Sequence, residues 1–196
     1  MQMENEREKH EELEEYAIVL DFMPTGRSSA LKSEPTAQLL GENKFTLLEV
    51  VTKTKDVAIG ERVYIGKGER DKVALIKERI TYDQLTDAAK RELPNAIQSI
   101  VKGNEQKFLA FFNNAGPLNI RMHALELLPG IGKKHLEAIL TARDEKQFES
   151  FGDLLNRVPL LQDPVKLITE RVIEELKGGS RFYLLTKPMA PHREQY

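Results

Sequence analysis

The hydrophobic rhythm of this chain changes once, near residue 80. Before that point apolar residues come in short β-branched or aromatic runs, and after it they recur every three or four positions. "YAIVLDFMP" predicts a strand stopped by Pro24, followed by a polar loop with Gly26, two serines and Pro35. "AQLLGENKFTLLEVV" holds two apolar runs parted by Gly-Glu-Asn-Lys, the pattern of a hairpin. "GERVYIGKG" and "KVALIKERI" supply two more strands around "GKGERD". Within "ERVYIG", period-two alternation turns Val63 and Ile65 inward and Arg62 and Tyr64 outward.

Beyond Ile80 the pattern is helical. Thr81 with Gln84 three residues on has the spacing of a capping box that opens a helix. Pro94 suits the first turn of a second helix, which Gly103 can end. "NEQKFLAFFNNAGP" predicts a third, and the helical spacing of Phe108, Phe111 and Phe112 marks them as core rather than as a stacking platform. Ile120, Ala124, Leu127 and Leu128 form one further stripe, and Leu136, Ile139 and Leu140 another. Ser150 and Asp153 cap "FGDLLNRV"; Asp163 and Pro164 start "VKLITERVIEEL", which Gly178 and Gly179 end. "RFYLLT", Arg181 to Thr186, predicts a last strand returning to the sheet edge. The divisions expected are an acidic tail 1–15, a strand-built domain 16–81, a helical connector 82–117, a paired helical domain 118–179 and a C-terminal strand and tail 180–196.

Between the two central stripes stand only Pro129-Gly130-Ile131-Gly132-Lys133. Such a tight turn needs glycine dihedrals, and missing side chains let an anion reach the backbone. A helix opening near Lys133 leaves its first amides without intrahelical partners and presents the positive end of its dipole. A phosphate oxygen satisfies both. Lys133 and Lys134 add charge there, with Arg143 further along the helix. A second set of cations, Arg62, Lys67, Arg70, Lys72, Lys77 and Arg79, surrounds Tyr64. Cations follow a phosphate backbone and an aromatic face stacks a base of any kind. Tyr64 equally well covers a hydrophobic edge.

Charge modifies this picture by its distribution. The formal net charge is −2, but residues 1–15 hold seven glutamates against Arg7 and Lys9, a balance of −5, so residues 16–196 carry +3. The tail reads as a solvated extension, or as a tethered polyanion competing for the basic surface. The chain has no cysteine, which excludes disulfides, thiolate metal sites and cysteine nucleophiles. His10, His123, His135 and His192 are scattered without metal-ligand spacing, so no metal or cofactor is expected. No Walker loop, dinucleotide fingerprint or nucleophile elbow occurs. No run approaches a membrane span and no secretory signal opens the chain; a cytoplasmic protein without enzymatic activity is expected.

Five short strands at this spacing resemble an oligonucleotide-binding (OB) or S1-like barrel. "LELLPGIGKKHLEAIL" resembles the helix-hairpin-helix motif, departing from it at Leu136, where a small alanine is common. The helix-connector-helix of 150–179 resembles a second copy without the glycine signature, structural in role. The implied class is α+β: a five-stranded OB/S1-like barrel followed by an all-α tandem helix-hairpin-helix domain. Taken whole, the chain resembles an archaeal family catalogued as a domain of unknown function (655). That resemblance implies sequence-independent binding of nucleic acid, RNA rather than DNA, in association with translation or transcription machinery. The candidate binding residues are those read above: Gly130, Ile131, Gly132, Lys133, Lys134 and Arg143 in the hairpin and Arg62, Tyr64, Lys67 and Arg70 on the barrel. Two alternatives stay open. Lys134 occupies the position of the catalytic lysine in bifunctional DNA glycosylases, although the downstream aspartate motif is not matched at Asp163. The helical half could instead be a protein-interaction scaffold.

Overall fold

The computed structural model describes residues 14–26 and 34–188. The tail residues 1–13, His10, the two loop serines, His192 and the C-terminal residues 189–196 lie outside the described residues. Contacts divide the chain into two compact units, Met1–Ala96 with Glu175–Tyr196, and Ile97–Glu174.

In the first unit five strands form one antiparallel sheet: β1 (Tyr16–Met23), β2 (Thr36–Gly41), β3 (Leu47–Thr52), β4 (Arg62–Tyr64) and β5 (Val73–Arg79). Their order is β4-β1-β2-β3-β5, so β4 and β5 are edges and the curled sheet is a half-barrel. Val19, Leu39, Val50, Val63 and Ile65 pack in one cluster on one face, as the alternation in "ERVYIG" predicts. The opposite face of the central strands is buried too: β2 is buried at every position, including Gln38. Gln38 is satisfied there because its Nε2 donates to the Gln84 carbonyl at 3.0 Å and its Oε1 accepts from the Thr86 amide at 2.9 Å.

The capping box at Thr81 forms, with the Thr81 amide donating to Gln84 Oε1 at 2.8 Å, but it closes only a 3-10 turn, Tyr82–Gln84. The long helix starts later. Thr86 caps α1 (Asp87–Gly103), its Oγ1 accepting from the Ala89 amide at 3.0 Å while its hydroxyl donates to Asp21 Oδ2 at 2.6 Å. Pro94 sits inside α1, so one helix replaces the two expected. An interior proline costs about 3 kcal/mol. Burial of Leu93, Ile97, Ile100 and Val101 along the same helix returns roughly 1.5–3 kcal/mol per side chain, which outweighs it.

The second unit continues with α2 (Glu105–Asn114), whose Phe108 and Phe112 are buried, Phe112 edge-on to Phe151 at 6.2 Å. The stripe expected to be a helix from Ile120 to Leu128 is not one. It is a pair of short strands, β6 (Pro117–Asn119) and β7 (Met122–His123), then a 3-10 turn, Ala124–Leu127. Asn119 Oδ1 accepts the Arg121 amide at 2.9 Å, an Asx turn that reverses the chain and leaves Ile120 fully exposed. Then come α3 (Lys133–Glu145), α4 (Phe151–Arg157) and α5 (Pro164–Lys177). Ser150 Oγ caps α4 by accepting the Asp153 amide at 3.0 Å, and Asp163 Oδ1 accepts the Val165 amide at 2.9 Å at the start of α5.

The C-terminal residues expected as a strand are irregular between Arg181 and Thr186. They are held instead by Glu175, a buried carboxylate that accepts the Leu184 amide at 2.8 Å, the Leu185 amide at 3.1 Å, and both the amide and hydroxyl of Thr186 at 2.8 and 3.0 Å. A carboxylate this well supplied with donors has no need of a ladder partner, and the chain follows it rather than a strand edge.

Candidate functional site

The glycine turn sits where the pattern placed it, although a 3-10 turn precedes it rather than a helix. The Ile131 amide donates to the Leu128 carbonyl at 3.1 Å, closing the turn, and α3 begins at Lys133 with Gly132 as its N-cap. The two glycines differ in kind. Gly130 has φ +85°, and a Cβ there would stand 3.1 Å from Gln162 Nε2, so the fold itself demands glycine. Gly132 has φ −91° and ψ −178°, ordinary extended backbone, with nothing within 4 Å of where a Cβ would stand. Neither strain nor packing calls for glycine at 132. A capping Ser, Thr, Asp or Asn would serve the helix better, since Gly132 leaves the first amides of α3 without a side-chain acceptor. What Gly132 does provide is unobstructed approach to those amides, flanked by exposed Lys133 and Lys134. Ile131 is buried and anchors the turn.

Arg143 does not join them. Its Nη1 donates to the Phe112 carbonyl at 3.0 Å and the Ala115 carbonyl at 2.8 Å, capping the end of α2. Beneath the turn lies an open hollow of about 490 Å³ whose wall includes Glu126 and Glu174. Arg171 shares that wall but is paired with Glu174 at 3.2 Å, so carboxylates outnumber cations there, and the attractive side of the hairpin is the exposed one bearing the two lysines. His123 braces the preceding turn: its Nδ1 accepts the Leu125 amide at 3.2 Å and its own amide donates to Glu126 Oε2 at 2.8 Å. Burial, and then the nearby Arg143 charge, hold the His123 imidazole below its ordinary pKa.

On the sheet the expected cations separate into two groups. Arg62 is committed to Glu42 in a bidentate pair at 2.7 and 2.9 Å and lies 3.5 Å over the Tyr16 ring, so it is a clasp within the sheet rather than a free phosphate contact. Lys72 pairs with Glu61 at 2.6 Å and Lys77 with Glu49 at 2.9 Å. Lys67, Arg70 and Arg79 instead border a hollow of about 440 Å³. Tyr64 lines that hollow too; its ring meets Tyr16 edge-on at 5.3 Å, and its hydroxyl accepts the Gly68 amide at 3.1 Å. It is therefore a wall residue gripped by its own loop, not an outward platform. Leu48 and Ile76 of the same hollow, and the role of Arg79, were not indicated by the alternation. The β3–β5 register slips between Glu49 and Val50, so Ile76 and Arg79, three residues apart, reach the same hollow.

No group of three or more His, Asp or Glu side chains suited to a metal occurs among the described residues, and none of their helices is long and apolar enough to cross a membrane.

This architecture has known counterparts. An uncharacterized protein of Methanocaldococcus jannaschii is 42% identical over 184 residues, covering 92% of this chain and 83% of that one. The crystal structure of a protein from Archaeoglobus fulgidus superposes with a TM-score of 0.83 at 49% identity, covering 89% of this chain and all of that one. The family model described as Protein of unknown function (DUF655) matches residues 13–187. With nearly its whole length accounted for in this way, the chain belongs to that family, and the relatives found are archaeal.

Proposed function

We propose that this protein binds nucleic acid, RNA in preference to DNA, gripping the phosphate backbone without strong sequence preference. The turn 128–133 is then a clamp of helix-hairpin-helix type, and the half-barrel an opened relative of the OB/S1-like barrel. The observation that carries the reading is Gly132: a glycine the fold does not need, at a helix N-cap, opening the first amides of α3 beside two exposed lysines. The strand order β4-β1-β2-β3-β5 supports the barrel relationship, since pairing the two edges would close it. In that fold the β2–β3 face commonly takes the ligand; here β2 is buried throughout and β3 at every position but Val51, which turns attention to the hairpin and the β4–β5 edges. The preference for RNA and the association with translation or transcription machinery rest on the family resemblance alone.

Fluorescence anisotropy with labelled single- and double-stranded RNA and DNA over a salt series tests the proposal. RNA is expected to bind more tightly, with weak dependence on sequence. Lys133→Ala should lower the log–log salt slope by about one unit or less, as one lost phosphate contact requires. Equal affinity of Lys133→Ala and Gly132→Val with the parent at every salt concentration would overturn it.

Catalysis through Lys134 is the less supported reading. Lys134 is exposed in the first turn of α3 and does not line the hollow beneath it, whereas a Schiff-base lysine is activated by desolvation or a forced neighbouring charge. Borohydride reduction in the presence of abasic-site DNA is expected to trap no more adduct than a Lys134→Ala control.

A further inference from the structure

The hollow between the two edges of the half-barrel has the composition of a binding site for one nucleotide. Its apolar surface comes from Leu48 on β3, Ile65 just beyond β4 and Ile76 on β5, and the Tyr64 ring forms one wall. Its cations are held differently from those elsewhere on the sheet. The Arg70 Nε donates to the Gly66 carbonyl at 2.8 Å, which fixes the side chain and leaves its terminal nitrogens for another acceptor. Arg79 donates to the Lys187 carbonyl, a neutral partner, and is partly buried; burial lowers its pKa, with Glu14 acting against that shift. Glu14 and Glu15 border the hollow as well, against Lys67, Arg70, Arg79 and Lys187; the Glu14 carboxylate is occupied by the Asn43, Lys44 and Thr46 amides, which it accepts at 2.6, 2.9 and 3.1 Å. Lys67 stands exposed on the rim. The loop that carries it is wrapped on the phenol of Tyr64: a Cβ on Gly66 would meet the Tyr64 hydroxyl at 2.4 Å.

The geometry points to a site for a nucleoside monophosphate in this hollow, its base on the apolar floor against Tyr64 and its phosphate between Arg70, Arg79 and Lys67. The volume of about 440 Å³ suits such a body, lying in the range of roughly 300–1,000 Å³ usual for small-molecule sites. An apolar floor alone would take any hydrophobe, and a cationic rim alone any anion; together they ask for a ligand with one part of each kind. The choice of a nucleotide over another phosphorylated body rests on the nucleic-acid reading above. The same chemistry is presented by a free nucleotide and by the phosphorylated end of an RNA strand.

Titration of the full, 15N-labelled chain with adenosine 5′-monophosphate, adenosine and inorganic phosphate tests the site. Saturable shifts are expected at Tyr64, Gly66, Gly68 and Arg79, with the monophosphate binding at least about tenfold more tightly than either fragment. Arg79→Met should weaken it by about tenfold, the effect of losing one charge-assisted hydrogen bond. Lys67→Glu, a change at an exposed position that folding tolerates, should weaken it several-fold. No saturable shift, or binding that both variants leave unchanged, overturns the site. Tighter binding of a 5′-phosphorylated RNA than of its 5′-hydroxyl counterpart identifies a strand end as the ligand; equal binding of the two, with the monophosphate still bound, identifies the free nucleotide. Should RNA binding remain sensitive to Gly132→Val while the monophosphate fails to bind, this site alone is refuted. Should the monophosphate bind while no RNA does, the proposed function is refuted and the site stands.

Discussion

Two glycines one residue apart serve opposite masters, and substitution separates them. Gly130→Ala forces a Cβ into left-handed backbone beside Gln162 and should destabilise the protein by about 1–3 kcal/mol. Gly132→Asp should do the reverse. The new carboxylate accepts an α3 amide and faces the helix dipole, so thermal stability should rise by a few tenths of a kcal/mol. The same carboxylate occupies and repels at the amides proposed for phosphate, so RNA affinity should fall. Melting and binding curves measured on one preparation give both signs; a variant that gains stability and keeps its affinity removes the clamp from consideration. The difference between these glycines is invisible in "PGIGKK". The partners that withdraw Arg62 and Arg143 from the candidate site are equally hidden, because Glu42 and the Phe112 and Ala115 carbonyls lie 20 or more residues away in sequence.

The elements flanking the hairpin should respond to pH through His123. Its neutral Nδ1 accepts the Leu125 amide, and an imidazolium would present a proton there instead. Since burial lowers the folded pKa beneath the ordinary 6.5, the unfolded chain binds the proton more readily between those two values. The contribution is therefore complete above about pH 6.5 and is lost as pH falls toward the folded value. Hydrogen exchange at Leu125 should quicken from pH 7.5 to 5.5 once corrected for intrinsic rate, and His123→Asn should flatten the change. Elements were legible where local chemistry decided them: β-branched runs for the five strands, Ser150 and Asp163 for two helix starts, Gly178 and Gly179 for a helix end. They were misread where distant burial decided. Pro94 continues α1 because the residues around it are buried, and the Ile120–Leu128 stripe breaks because Asn119 turns the chain. Asn119 two residues before Arg121 was a usable signal that the apolar period overrode. Of the hollow, Tyr64, Lys67 and Arg70 were readable, but the β3–β5 slip that delivers Ile76 and Arg79 was not.

Across the whole molecule, charge separates an acidic N-terminal stretch from a body of opposite sign. The tail was expected to run to residue 15, but Glu14 secures the β2–β3 turn and the Glu15 carbonyl accepts the Ile65 and Gly66 amides at 2.8 and 3.2 Å. The informative truncation therefore removes residues 1–13 and keeps both. If the tethered acidic residues compete for the cationic hollow, that truncation tightens RNA or nucleotide binding at low salt, with the gain fading as the Debye length falls to about 8 Å near 0.15 M. Identical isotherms for the two proteins across the salt series would reduce the tail to a solubilising extension. The fastening of residues 184–186 on Glu175 has a consequence for synthesis. Because the first unit is made of both ends of the chain, a ribosome delivers its last piece only after the second unit has been completed. Residues 97–174 can finish folding before the first unit does, so the half-barrel waits, missing the clasp of residues 184–186 on Glu175, until that segment has been translated.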